Sequence, residues 1–265
     1  MRYVKFLVAI AHLIPLFVDA QPNDGVQCSA DPSYTVASLT TTSEYSFSTW
    51  LPDHHRQGES KGTEHTDSPD VPLTVTEEEF DQAVQLSGYP APTAEQYRSF
   101  AQGVAKNSFY NKREVAMFLA NIMHESMGLR EKSEIRCRNT GCPGEYGSGP
   151  TGPFYYGRGY IQLTWKENYQ RASLAIFGDQ RLVDNPDQVA TNEDVAWAVS
   201  FFYWSNNVHS QGGIQEGQFG VSIRAINGQL ECNGSGHPGV QNRIRIYTNV
   251  LQAFHINEPV NEAGC

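Results

Sequence analysis

The chain lacks a basic excess. Its 265 residues carry 19 lysines and arginines against 29 aspartates and glutamates, a formal net charge of −10 with a pI near 5.2. Nucleic-acid binding draws on a basic face that neutralises phosphates, so no nucleic-acid partner is expected. The same sign disfavours tight binding to anionic wall polymers and is compatible with a neutral polymer. Cysteine is sparse, with five residues and neither a CxxC nor an HxxxH spacing. That excludes the usual zinc-ligand patterns, and neither metal nor cofactor is expected. There are no internal repeats, little reads as strand, and after residue 18 no apolar run is long enough to span a bilayer.

The first residues read as a targeting segment. Arg2 and Lys5 form a basic start, Phe6 to Val18 is a short apolar run, and Val18-Asp19-Ala20 has a small-residue cleavage pattern. Cleavage after Ala20 is expected, giving a secreted, extracellular protein with no membrane segment in its mature form. Residues 21–72 are rich in Ser, Thr, Asp, Pro and His and read as a flexible leader. Tyr45 and Trp50 are read as incidental packing there. Residues 73–265 are expected to form one domain, and the protein is expected to be a monomer.

That domain reads as mainly α. The apolar spacing predicts helices over 76–86, 93–106, 112–126, 166–177, 192–206, 221–226 and 242–254. Thr76 stands at a cap position with acids following, and Pro92 precedes the second helix. In the third, Val115, Phe118, Leu119 and Ile122 recur at i, i+3, i+4 and i+7, with Asn111 as N-cap, Glu114 in the capping-box position and Gly128 as stop. In the fifth, Val195, Ala198, Val199 and Phe202 form the apolar stripe, with Trp197 and Trp204 nearby.

The chemistry concentrates between residues 113 and 169. Glu125 ends the third helix, and Glu134 lies nine residues on, beyond Gly128. Nine helical residues would hold two carboxylates roughly 13 Å apart. A break at Gly128 lets the following loop fold back. Glycosidic cleavage needs one carboxyl as proton donor and another that activates water or attacks the sugar, about 6.5 to 9.5 Å apart in inverting enzymes. Solvated surface charge is the plainer reading, because residues 129–138, LREKSEIRCR, are rich in it. His124 reads as a hydrogen-bonded structural residue rather than a base. The segment 155–164, YYGRGYIQLT, offers aromatic faces, amides and hydroxyls suited to sugar.

The words FLANIMHESMGL, YYGRGYIQLTWKENY, INGQLEC and NRIRIY, in that order, together with the Glu nine residues beyond the first, resemble glycoside hydrolase family 19, the chitinases, over roughly residues 75–265. The resemblance implies a lysozyme-like, two-lobed helical domain with a central substrate cleft. It also implies a secreted endochitinase that hydrolyses β-1,4-linked N-acetylglucosamine polymers with inversion. Glu125 then corresponds to the general acid and Glu134 to the general base. Thr164, where Ser is common, helps hold the nucleophilic water. Gln162, Asn168, Asn227 and Arg243 correspond to substrate-contacting positions, and Glu231 with Arg243 to a buried ionic pair near the acid. Tyr155, Tyr156 and Trp165 either offer ring faces to sugars or pack as core.

Three residues depart from the family pattern. Met127 and Gln229 replace glycines, and Tyr160 replaces a proline after GRG. None removes a group the chemistry requires. Secretion implies disulfides, and the resemblance favours Cys137–Cys142 and Cys232–Cys265, leaving Cys28 unassigned. Asn233-Gly234-Ser235 is a glycosylation sequon. The expected partner is chitin or its oligosaccharides. The alternatives are a peptidoglycan-cleaving lysozyme-like hydrolase and a catalytically weak chitin-binding protein.

Overall fold

The computed structural model describes residues 73–234 and 236–265. The targeting segment, the leader with Tyr45 and Trp50, and Cys28 lie outside the described residues. Within them the chain forms α1 (Glu77–Leu86), α2 (Ala94–Lys106), α3 (Lys112–Glu125), α4 (Lys166–Phe177), α5 (Arg181–Asp184), α6 (Gln188–Thr191), α7 (Glu193–Asn207), α8 (Phe219–Glu231) and α9 (Pro238–Ala253). The only extended pairings among the described residues are isolated bridges, Ser133 with Arg158, Arg158 with Leu163 and Gln218 with Asn261.

The helix starts follow from local chemistry. Thr76 accepts the Glu79 N–H, and the Glu79 carboxylate takes the Thr76 N–H at 2.9 Å, a closed capping box. Thr93 and Gln96 repeat it on α2. On α3 the expected box is not closed. Asn111 caps Glu114, but the Glu114 carboxylate reaches past Asn111 to the N–H of Tyr110 at 2.7 Å. Its other oxygen accepts the Trp204 indole N–H at 2.8 Å and meets His209 Nδ1 at 2.7 Å. Tertiary partners on and beyond α7 outcompete the local cap.

Helix α3 is the central rod. Every residue from Glu114 to Glu125 is buried. Helices α9 and α8 pack on it, and α1 packs on α9. A second group forms around α7, against which α2, α4 and α6 pack, with α5 on α4. Between α3 and α7 lies an aromatic layer in which Phe118 stacks on Phe201 at 4.6 Å and meets the edge of Trp204 at 5.5 Å. The expected stripe of α7 is buried at Val195 and Val199, with Trp197 and Trp204 beside it, while Ala198 and Phe202 are half-buried. Ala196, Ser200 and Phe201 widen the buried face towards α3. The large rings gain most from burial, which draws Trp197, Phe201 and Trp204 inward alongside the two valines.

Helices α5 and α6 are single turns of four residues each, too short to show a period. Helix α9 begins at Pro238, four residues before the expected start. Proline is suited to the first helical position because its missing N–H has no partner there anyway. Helix α8 extends to Glu231 across a break at Asn227, where φ is −142° and ψ is 28°. Cys137 bonds to Cys142 and Cys232 to Cys265. The second bridge ties the end of α8 to the C-terminus.

Candidate active site

The end of α3 sets the geometry. Glu125 is the last helical residue, buried, with Ser126 as C-cap. The Gly128 N–H reaches back to the Met123 carbonyl at 2.7 Å, and Gly128 has φ of +73°. A Cβ at Gly128 would strike the Tyr89 ring, so glycine is required on both grounds. Met127 (φ +52°) and Leu129 (φ +66°) are also left-handed. Three consecutive reversed residues turn the chain sharply off the helix axis. Met127 holds a conformation that costs an ordinary residue roughly 1 to 2 kcal/mol.

After the turn, the Arg130 and Glu131 N–H groups both bond to the Ser126 carbonyl. The chain then runs beside residues 157–159. Gly159 N–H donates to the Lys132 carbonyl at 3.0 Å, and Glu134 N–H to the Gly157 carbonyl at 2.7 Å. Glu134 is buried, and its Oε2 accepts the Gly157 N–H at 3.1 Å. Its Oε1 accepts the Tyr146 hydroxyl at 3.1 Å and Arg136 Nε–H at 3.3 Å. A Cβ on Gly157 would meet Gln162 Oε1 at 3.0 Å, the Glu134 side chain at 3.4 Å and Thr164 Oγ1 at 3.4 Å. Glu134, Gln162 and Thr164 therefore converge on one point.

Residues 157–165 form a tight turn closed by paired bonds between Arg158 and Leu163. Gln162 (φ +54°) and Trp165 (φ +78°) hold left-handed backbone there. The buried Arg158 guanidinium lies 3.6 Å from the centre of the Tyr156 ring, donates to the Phe154 carbonyl at 2.7 Å and pairs with Asp187 at 2.7 Å. Thr164 Oγ1 donates to the Gln162 carbonyl at 2.8 Å, which leaves its lone pairs free to accept. The amide groups of Gln162 and Asn168 brace the turn, donating to the Gly159 carbonyl at 3.0 Å and the Thr164 carbonyl at 2.6 Å. Tyr155 and Tyr156 are core residues, the former donating to the Val183 carbonyl. Trp165 is half-buried and meets the Tyr146 ring edge-on at 5.5 Å.

A second cluster holds Glu125. The Arg243 side chain is fully enclosed. Its Nε–H donates to Glu231 Oε2 and its Nη2 to Glu231 Oε1, both at 2.9 Å. Its Nη1 donates to Asn121 Oδ1 at 3.1 Å, and its Nη2 also pairs with Glu125 Oε1. Of the two roles expected of Arg243, this geometry is that of the ionic pair. Asn227, at the break in α8, donates to Glu231 Oε1 at 2.7 Å. Among the described residues, two buried side-chain oxygens have no protein partner, Glu125 Oε2 and Asn227 Oδ1. Burial pushes the Glu125 carboxyl above its ordinary value, Arg243 opposes this, and the Glu231 charge adds to the rise. Burial also opposes ionisation of Glu231, but two bonds and the charge from Arg243 hold it below the ordinary value.

Reading the sequence alone passes over three residues of these clusters. Asn121 lies one helical turn before Glu125, a spacing that places both on one face. Arg136 stands two residues beyond Glu134, hidden in a run of charge. Tyr146 has no local signal. His124 faces Asn242 Nδ2 at 2.9 Å. Asn233 is exposed and its side-chain amide donates to the Gln229 carbonyl.

Family comparison agrees with the geometry. The family of class I chitinases matches residues 73–216. Endochitinase A of Zea mays is 35% identical over 167 residues, which cover 62% of this chain and 57% of that protein. Chitinase 6 of Oryza sativa subsp. japonica is 36% identical over 57% of this chain and 56% of its own. The chain thus spans about half the length of these curated relatives. A crystal structure of chitinase C from Streptomyces griseus superposes with a TM-score of 0.59 at 30% identity, over 74% of this chain and 81% of that one. A bacterial family 19 chitinase gives 0.57 at 32% identity, over 72% and 99%. The chain belongs to glycoside hydrolase family 19, with the lysozyme-like helical fold of that family.

Proposed function

We propose that the protein is a secreted endochitinase that hydrolyses β-1,4-N-acetylglucosamine linkages with inversion. One observation carries the reading. Two buried carboxylates sit on either side of the reversal at 127–129 in different settings. Glu125 is pushed towards its neutral form, while Glu134 accepts three donors from Gly157, Tyr146 and Arg136. A carboxyl lifted by burial, paired with a carboxylate held by several donors, suits a general acid and a general base. Glu125 donates its proton to the leaving oxygen. Glu134 and Thr164 Oγ1 hold the water that attacks the anomeric carbon from the opposite face. Asn227 Oδ1, a buried acceptor without a partner, receives the acetamido N–H of the sugar. Gln162 and Asn168 shape the wall by bracing the turn.

All these residues lie within 73–265, so the domain carries the whole reaction. Asn233 stands exposed two residues beyond α8, and we propose it as a glycan site. The substrate is tested by comparing sugar release from soluble chitin oligomers and from peptidoglycan at matched enzyme concentration. Release from chitin with little from peptidoglycan is expected. Preference for peptidoglycan supports the lysozyme-like alternative, and binding to chitin without release supports a binding protein.

A further inference from the structure

Arg136, half-exposed, and Tyr146, buried against Trp165, both touch the carboxylate read as the base. The contacts form a closed ring. Arg136 Nη1 and Nη2 grip Glu145 at 3.0 and 2.7 Å, and Nη2 also donates to the Tyr146 hydroxyl at 2.7 Å. That hydroxyl donates its own proton to Glu134 Oε1, which also accepts Arg136 Nε–H. The Cys137–Cys142 bridge closes the loop between Arg136 and Glu145. Arg136 is half-exposed, whereas the Glu134 side chain is nearly enclosed.

We propose that Arg136 and Tyr146 are positioning residues for Glu134, a two-donor clamp that aims the carboxylate at the attacking water, with Glu145 fixing the angle of Arg136. This rests on the reading of Glu134 as the base. The donors occupy Oε1, and Gly157 N–H occupies one side of Oε2, so the free lone pair of Oε2 is left for the water. Burial and the Glu134 charge raise the Tyr146 hydroxyl above its ordinary value, so it remains a donor throughout the working range. Glu145, followed by Tyr146, holds Arg136 protonated. The other charged groups around Glu134 are engaged elsewhere. Lys132 pairs with Glu193, Glu131 with Arg138 and Arg158 with Asp187. Arg136 is thus the cation in direct contact with Glu134.

The sign of the effect follows. An adjacent cation favours the ionised carboxylate. When that cation is lost, the acidic limb of kcat/KM, which reports the base of the free enzyme, moves to higher pH. The test is the pH profile on a soluble chitin oligomer for the full chain and for Arg136→Gln, Arg136→Lys, Tyr146→Phe and Glu134→Gln. Arg136→Gln should lose about tenfold in kcat at little change in KM. Its acidic limb should rise by about 0.5 to 1 pH unit. Arg136→Lys keeps the charge and should return the limb most of the way. Tyr146→Phe should lower kcat and shift the limb in the same direction.

Circular dichroism at each pH gives the folded fraction, and rates corrected for it keep acid unfolding of a destabilised variant from being read as a moved limb. An unmoved limb in Arg136→Gln overturns the clamp, as does a shift that Arg136→Lys fails to reverse. Glu134→Gln separates the two levels. If it retains activity, the base assignment itself fails. If it is inactive while the Arg136 variants keep the wild-type limb, only the clamp fails.

Discussion

Glu125→Gln should lower kcat on soluble chitin oligomers by about 10²- to 10⁴-fold, the usual worth of a positioned acid or base. Folding and oligosaccharide binding should persist. The amide is nearly isosteric, and its oxygen can still accept from Arg243, which bonds to Oε1 in the wild type. What it cannot do is release a proton from the second position, where Glu125 Oε2 has no protein partner. The pH dependence has a definite sign. An acid must be protonated to act, and burial lifts Glu125 above the ordinary carboxylate value of 4.5 against the opposing pull of Arg243. Wild-type activity should therefore extend above pH 4.5 before its alkaline limb falls. Calorimetric binding with initial rates separates the roles. A variant that turns over an unactivated oligomer at near wild-type rate removes Glu125 as the acid.

Arg243→Gln should be the most damaging single substitution for stability. The guanidinium is the one cation shared by Glu125 and Glu231, and its side chain is fully buried. Removing one member of a buried ionic cluster leaves uncompensated charge and costs about 3 to 5 kcal/mol. For a domain of this size that corresponds to a fall in Tm of roughly 6 to 20 °C. In the variant both carboxylates lose their cation, so their folded pKa values lie above the unfolded ones. Proton uptake then favours the folded form at low pH, and that support is lost as pH rises through the folded values. The gap to wild type should be widest near neutrality and narrow as pH falls towards 4.5. Thermal melts at several pH values check this. A Tm within about 2 °C of wild type at neutral pH contradicts the buried-cluster account.

Much of the helical frame is readable from local chemistry. The Thr76 and Thr93 caps, the bounds of α4 and the stop at Gly128 need only neighbours within four residues, and the structure has them. What fails is what depends on distant partners. Glu114 leaves its local cap for Trp204 and His209, groups whose approach no local pattern encodes. On α7 the stripe holds at Val195 and Val199, but Ala198 and Phe202 stay half-buried while Trp197 and Phe201 pack on Phe100 and Phe118 of other helices. The same division holds at the site. Glu125 and Glu134 stand out because a glycine separates them and ordered motifs surround them. Arg136 and Tyr146 do not, because nine residues, including a disulfide loop, lie between them. Asn121 belongs to the Arg243 cluster through a contact with a residue far along the chain.

The proposed mechanism makes one claim that a single measurement reaches directly, that water attacks from the face opposite the leaving group under the control of Glu134. A soluble β-linked chitin oligomer is mixed with enzyme, and anomeric protons are followed by NMR within the first minutes, before mutarotation mixes the products. The α-anomer should form first, with the β-anomer appearing only as the product equilibrates. A β-anomer as the first product would mean two displacements at the anomeric carbon, and Glu134 would then not be the base that activates water.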